Sequence, residues 1–438
     1  MRPTLGLVAA ATALTGLSVA TVAAQRGGVF RGSRDHPAIQ YSSGPVDNAV
    51  SRLNRRIRDG AVALTFDGIW GYLPSVLEAL DIPVESQVTV FSKTSFQADS
   101  ISLQNPRAIY FADEVAIAKV PGTKILEVAV QDRRQGSIFY TLEQTRADTP
   151  QFTRSDGCLA CHLSWDTLGV PGLQVLSTFP MSADPNAYAT GFVSDHRSRI
   201  EDRWGGWYVT GKEGTFSHMG NVPVTDVEDP LATIGQVRPA LASLEGQFDL
   251  TEYLSPYSDI VALMALEHQT HMANLITRIG WEARRTAYPN EMTVAPVSAV
   301  ANDPDGTELL REAAVEVVDY LLFVDEAPLP ARIEGSSGFA ERLAELGPHD
   351  DQGRSLREFD LEKRLLRYPC SYMIYADAFD ALPPIAKDLV YQRLWQVLSG
   401  QGQNEVYSRL ALADRQAIVE ILRATKADLP TYFQPVTR

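Results

Sequence analysis

The chain has only three cysteines in 438 residues, Cys158, Cys161 and Cys370. Three thiols are too few to hold a fold of this size together, so a packed hydrophobic core must stabilise it. Basic residues are also scarce, because 39 Lys and Arg stand against 54 Asp and Glu, which gives a formal charge of −15. Phosphate binding needs clustered Lys and Arg, so we expect no nucleic acid partner.

After residue 24 the sequence lacks any uninterrupted run of 18 apolar residues, the length that suggests a membrane-spanning helix. An uncharged stretch from Leu5 to Ala24 follows Arg2 and ends in small residues, as signal peptides do. We therefore expect residues 1–24 to be a cleaved signal peptide, with an uncleaved anchor as the alternative. The mature protein is then periplasmic or secreted and has no membrane span.

Three regions of different character follow, and together they predict an α+β fold. Residues 25–145 are β-rich, since five short β-branched or aromatic runs lie between Val84 and Leu142 and predict a mostly antiparallel sheet. Residues 146–254 are loop-rich, and residues 255–438 are mostly helical. The helical patterns cover residues 255–285, 307–324, 338–346, 356–367, 385–399 and 408–424.

Local features of the helical region predict details of its structure. Ser255 and Pro256 are typical of an N-cap and a first helical residue, so we expect the longest helix to begin there. The charged residues of 354–364 alternate in sign, which predicts a solvated, ion-paired helix face. Cys370 lacks a sequence partner, and we expect a buried, inert thiol, with a redox-active thiol as the alternative.

The pattern C-x-x-C-H at residues 158–162 is the attachment signature of c-type haem. Two thiols three positions apart can reach both vinyl groups on one edge of a haem, and the following histidine then ligates the iron. A thioredoxin-like redox pair and half of a zinc site are the alternatives. The absence of a second cysteine pair and the expected signal peptide favour haem. We therefore predict one covalent haem c on Cys158 and Cys161, with His162 as the proximal iron ligand.

On these residues the chain resembles the bacterial c-type cytochromes, with Gly169, Val170, Pro171 and Gly172 as a loop at the haem edge. The resemblance is to a large, single-haem periplasmic protein, because the chain is much longer than the compact class I domain. It implies covalent haem, electron transfer and redox partner proteins. It implies no particular fold for the rest of the chain.

The sixth iron position has several candidate ligands. His268 lies on an apolar helical stripe with Met264 and Leu275, and His218 and Met219 lie in a loop that follows an aromatic-rich segment. Met219 and Met181 are the weaker candidates. We expect the haem pocket between the segment around Cys158 and the helix that begins near Pro256. Three other histidines have polar or charged neighbours and are expected at the surface: His36, His196 and His349.

One covalent haem is compatible with two classes of function. A haem ligated on both sides suits a periplasmic electron carrier, which we favour, and its acidic chain suits basic or neutral redox partners. A haem with a displaceable sixth ligand beside an acid, a base or an arginine suits a peroxidase-like oxidoreductase with a small-molecule substrate. A weaker alternative makes the additional regions a docking module for a larger oxidase complex.

Overall fold

The computed structural model of the chain describes residues 33–178, 191–212, 216–222, 240–288, 307–402 and 405–437. The expected signal peptide and Met181 lie outside these ranges. Among the described residues, no helix combines the length and the apolar character needed to cross a bilayer.

An antiparallel sheet dominates the first half of the chain, as the sequence predicts. The strands of the described part are β1 Val88–Val90, β2 Arg107–Phe111, β3 Val115–Lys119, β4 Ile125–Asp132, β5 Gly136–Glu143, β6 Thr153–Arg154, β7 Leu176–Thr178, β8 Gly191–Val193 and β9 Trp207–Tyr208. Seven of them form one sheet in the order β6-β5-β4-β3-β2-β1-β9, and β7 and β8 form a separate hairpin. The five predicted runs correspond to β1–β5, so this part of the α+β prediction is confirmed.

Helices dominate the second half. The α-helices of four residues or more in the described part are α1 Ala49–Arg58, α2 Leu73–Ala79, α3 Leu159–His162, α4 Ile260–Thr286, α5 Thr307–Leu321, α6 Phe339–Glu345, α7 Asp377–Asp380, α8 Pro384–Leu398 and α9 Leu412–Thr425. Helices α4, α5, α6, α8 and α9 match predicted helical patterns. The two halves meet in a continuous core rather than at a linker.

The two faces of the sheet are covered by different layers, because side chains alternate along each strand. Tyr110, Ile117 and Val128 lie in register on one face and pack with apolar residues of α1 and α2. On the opposite face, Gln131 of β4 donates to Thr277 Oγ1 of α4 at 2.8 Å. Helix α4 therefore lies between the sheet and the other C-terminal helices.

The longest helix begins later than the sequence predicts. Ser255 and Pro256 lie in the preceding loop, and α4 begins at Ile260 with Asp259 as its N-cap. Asp259 Oδ1 accepts hydrogen bonds from the backbone N–H groups of Val261 and Ala262. The second oxygen of Asp259 accepts from the backbone N–H groups of Ser336 and Ser337, so the same residue also fixes that loop.

The predicted helix over residues 356–367 is wrong. The segment forms turns and one isolated bridge between Phe359 and Leu366. Arg357, expected on a solvated helix face, is buried and forms an ion pair with Asp113 in the turn between β2 and β3. A contact between residues so distant in sequence overrides the local pattern of charges.

Candidate functional site

The C-x-x-C-H motif forms a compact turn immediately after the sheet. A 3₁₀ turn over Asp156–Cys158 continues into helix α3, so Cys158 and Cys161 lie three positions apart on the same side of the chain. Cys161 is exposed and Cys158 is half-buried beside Ser155, and neither forms a disulfide. Both thiols are therefore placed where one edge of a flat ligand can reach them.

His162 is held by the loop of residues 169–172, which the resemblance to c-type cytochromes implies at the haem edge. Its Nδ1 atom lies 3.0 Å from the carbonyl oxygen of Gly172, and the Gly172 N–H donates back to the His162 carbonyl at 3.0 Å. Because a carbonyl only accepts hydrogen bonds, Nδ1 carries the proton and Nε2 keeps a free lone pair. A donated Nδ1–H to a backbone carbonyl is the usual support of a metal-bound imidazole.

The surroundings of His162 favour its neutral form. The ring lies against the Phe139 ring of β5, with 4.9 Å between centroids. Burial, together with the nearby charge of Arg107, lowers the pKa of His162 to about 4. At neutral pH the imidazole is therefore unprotonated, as a metal ligand must be.

A charged pair occupies the same face of the sheet as Phe139. Arg107 of β2 and Glu127 of β4 form an ion pair at 3.3 Å, and both side chains are mostly buried. Glu127 also accepts hydrogen bonds from Ser95 Oγ at 2.6 Å and Gln97 Nε2 at 2.7 Å. Glu127 raises the pKa values of both His162 and Cys158, so the pair lies within electrostatic range of the motif.

Two large aromatic side chains are exposed, one after the motif and one in the loop between β1 and β2. Trp165, three residues after His162, is 66% exposed, and Phe96, between the two residues that bond to Glu127, is 59% exposed. Single exposed aromatic side chains are common on protein surfaces. The two thiols and the free Nε2 of His162 fit a covalently bound haem c.

His268 was the first candidate for the sixth iron ligand, and its surroundings differ from those expected. Its Nδ1 lies 2.9 Å from His196 Nδ1, and its Nε2 lies 2.6 Å from Ser371 Oγ. The ring is stacked on Tyr320 and Phe323. Since both ring nitrogens already have partners, neither is available for iron in this arrangement.

His218 and Met219 lie in a different part of the core. His218 is buried beside Trp204, and neither of its ring nitrogens has a hydrogen-bond partner in the part of the chain that the structure describes. Burial lowers the pKa of His218 to about 4. The Met219 sulfur lies 3.9 Å from Ser177 Oγ. Neither residue takes part in the contacts described above for His162, so their role as iron ligands stays a prediction.

A buried histidine cluster was not recognised in the sequence. His196, expected at the surface because charged residues flank it, is only 2% exposed and lies beside His268. Asp195 and Arg197 form an ion pair with each other, and Arg197 also lies 3.2 Å from His271 Nε2. Because Asp195 and Arg197 neutralise each other, His196 between them can be buried without burying an unpaired charge. Of the other two histidines expected at the surface, His349 is exposed and His36 is half-buried.

A buried ion pair connects the segment after β8 to helix α4. Arg203 Nη1 lies 3.1 Å from Glu267 Oε2, and both side chains are almost fully buried. Ser194 Oγ donates to Glu267 Oε1 at 2.5 Å, and Arg203 donates to the carbonyls of His196 and Ser198. The sequence gives no local signal for this pair, because Arg203 and Glu267 lie 64 residues apart.

Cys370 matches the expectation of a buried thiol. It is fully buried among apolar residues of the C-terminal core. Burial raises its pKa to about 12, which keeps the thiol protonated and unreactive at neutral pH.

Within the described ranges, no group of three or more His, Cys, Asp and Glu side chains is arranged to hold a metal ion. Comparisons with models of known families, with curated proteins and with solved structures found no match. Function is therefore inferred from the geometry of this chain itself.

Proposed function

We propose that the protein is a periplasmic c-type cytochrome that attaches one haem c through Cys158 and Cys161 and transfers single electrons. The observation that carries this proposal is the arrangement of the motif, with two accessible thiols on one turn and His162 Nε2 left free by the Nδ1 bond to Gly172. When bound, the haem supplies a one-electron iron couple. The signal sequence of residues 1–24 supports export to the compartment where such haems are attached.

The residues around His162 define what the protein contributes to this function. The Gly172 carbonyl fixes the ring tautomer, and Phe139 restricts the ring plane. The lowered pKa of His162 keeps Nε2 available at neutral pH. The net charge of −15 favours basic or neutral redox partner proteins.

Expression in a bacterial periplasm with a c-type maturation system tests the proposal. We expect haem that stays attached in a denaturing gel, and we expect Cys158→Ala and Cys161→Ala each to lose one thioether. The pyridine haemochrome band, whose position reports the number of reacted vinyl groups, measures this loss. Cys370→Ala is the matched control and should keep the parent spectrum. A parent protein without covalent haem would contradict the proposal.

A haem-dependent oxidoreductase is the second candidate function, and the Arg107–Glu127 pair favours it. A buried arginine beside a carboxylate supplies the charge and proton-accepting group that small-molecule chemistry at a haem needs. Arg107 Nε also has no hydrogen-bond partner among the described residues, although it is buried. The sequence does not predict the pair, because 19 residues separate its members and strand β3 lies between their strands.

Binding of external ligands separates the two functions. Rapid binding of cyanide, carbon monoxide or peroxide to the purified protein favours the oxidoreductase, and inertness favours the carrier. In the first case, Arg107→Gln should slow the reaction with peroxide at least tenfold. Arg133→Gln changes an exposed arginine in the turn between β4 and β5 and is the control.

A further inference from the structure

We propose that Asn274 of helix α4 is a positioning residue for His162 and acts through the loop Pro171–Leu173. The inference rests on the proposed role of His162 as an iron ligand. It assigns to the long C-terminal helix a task in tuning that ligand.

The side chain of Asn274 contacts the loop at two consecutive residues. Asn274 is 2% exposed, and its Nδ2 atom donates to the Leu173 carbonyl at 2.8 Å. A Cβ atom added to Gly172 would lie only 1.9 Å from Asn274 Oδ1. Glycine is therefore required for the loop to approach this amide so closely.

The same loop is fixed from two other directions. The Ser137 N–H of β5 donates to the Pro171 carbonyl at 2.8 Å, and the Gly172 carbonyl accepts from His162 Nδ1. Pro171, Gly172 and Leu173 are thus bonded to β5, α3 and α4 respectively. With Pro171 held by the sheet, the bond from Asn274 to Leu173 sets how the carbonyl between them is directed.

The direction of that carbonyl controls the chemistry of His162. A short, straight bond from Nδ1–H makes the imidazole a more basic ligand, and a more basic ligand favours the ferric over the ferrous state. Loss of the Asn274 contact weakens the Nδ1 bond and should therefore raise the reduction potential. A merely structural role for Asn274 would lower stability and leave the potential unchanged.

Two substitutions break the contact from opposite sides. Asn274→Ala removes the amide, and Gly172→Ala displaces it, because the added methyl group occupies the position of Oδ1. Each should raise the potential by the equivalent of a threefold to tenfold change in the redox equilibrium, about 30–60 mV for one electron. The double variant should show no more than the larger single effect, because both changes remove one contact.

Asn54→Ala is the matched control. Asn54 is also a helical asparagine that bonds a loop carbonyl, with its Nδ2 atom 2.8 Å from the Phe152 oxygen. It should lower stability to a similar extent and leave the potential unchanged. Equal potentials in the parent, Asn274→Ala and Asn54→Ala would refute the positioning role, as would additive effects in the double variant.

A measurement without haem separates this inference from the proposed function. In the Cys158→Ala/Cys161→Ala protein, nitrogen-15 magnetic resonance reports exchange of the His162 Nδ1 proton with solvent. Adding Asn274→Ala should speed this exchange at least tenfold, and adding Asn54→Ala should not. If the parent attaches no haem and the exchange rates still differ in this way, the proposed function fails and the positioning role stands. Unchanged exchange refutes the positioning role.

Discussion

At the scale of single residues, the contacts of His268 favour a core histidine over an iron ligand. We predict that His268→Ala lowers the free energy of unfolding by about 3 kcal/mol, because it leaves a cavity and removes the partners of His196 and Ser371. The low-spin haem signal of the purified protein should stay unchanged. Denaturant unfolding and magnetic resonance of the ferric protein measure the two effects.

The control for His268 is the exposed His349. His349→Ala should change stability by no more than about 0.5 kcal/mol. A loss of the low-spin signal in His268→Ala alone would contradict the interpretation and restore His268 as the sixth ligand. The same spectrum recorded for His218→Ala and Met219→Ala then decides between the remaining described candidates.

At the scale of secondary structure elements, α4 connects the C-terminal helices to the loop that contacts His162. Its N-cap Asp259 bonds both the first turn of the helix and the loop at Ser336 and Ser337. Its second half carries Asn274 and Thr277, which face the loop and the sheet. A substitution at the start of α4 should therefore change the stability of the fold without directly changing the contacts of His162.

We predict that Asp259→Ala lowers the free energy of unfolding by about 3 kcal/mol, since several backbone N–H groups lose their acceptor in a buried position. Asp259→Asn should cost less, because its remaining oxygen can still cap the helix. Denaturant midpoints with unchanged slopes measure both values. Equal stabilities for Asp259→Ala and the parent would show that the cap contributes nothing.

The sequence predicted elements where local pattern and packing agree. β1–β5 were found because each is a short β-branched or aromatic run bounded by turn residues. The helix over residues 356–367 was wrong because the pairing of Arg357 with Asp113 leaves no trace in local periodicity. Asp259 was missed as a cap because Ser255 and Pro256 form an equally good local signal four residues earlier.

The candidate site was predictable to the extent that it lies in one stretch of chain. Residues 158–162 follow from the motif and its spacing, and the resemblance to c-type cytochromes implies the loop at 169–172. In the structure Gly172 of that loop contacts His162. Arg107, Glu127 and Asn274 reach the site only through strand register and helix packing, which no single sequence displays. Conversely, the apolar stripe around His268 was a correct sign of burial and gave no information on partners.

At the scale of the whole molecule, buried histidines and buried glutamates have opposite effects on the free energy of unfolding as the pH falls. Burial lowers the pKa values of His218, His268 and His271 to about 4, 3 and 4, from an ordinary value of 6.5. Between pH 6.5 and about 4 the unfolded chain therefore binds more protons at these sites. Their contribution to stability is present above pH 6.5 and is lost as the pH falls.

Three glutamates contribute with the opposite sign. Burial raises the pKa values of Glu114, Glu267 and Glu326 to about 7, from an ordinary value of 4.5. The folded chain binds more protons at these sites between pH 4.5 and 7, so their contribution grows as the pH falls in that range. Burial also lowers the pKa of His196, so four histidines oppose three glutamates. We predict a shallow decrease in the free energy of unfolding from pH 6.5 to 4.5 and a steep decrease below pH 4.5.

Denaturant unfolding at closely spaced pH values between 7 and 3.5 measures this profile. A decrease between pH 6.5 and 4.5 as steep as the decrease below pH 4.5 would show that the glutamates do not have raised pKa values in the folded protein.

The position of Asn274 in the chain has a consequence for the order of events during synthesis. It lies about 110 residues after His162, so the motif is made well before the helix that supports its loop. At roughly 5–20 residues per second, that separation corresponds to an interval on the order of 5–20 s. Until Asn274 has been made, the Pro171–Leu173 loop lacks its bond to helix α4 and can be held at most by its bonds to β5 and α3. The finished helix then adds the third bond, to the Leu173 carbonyl.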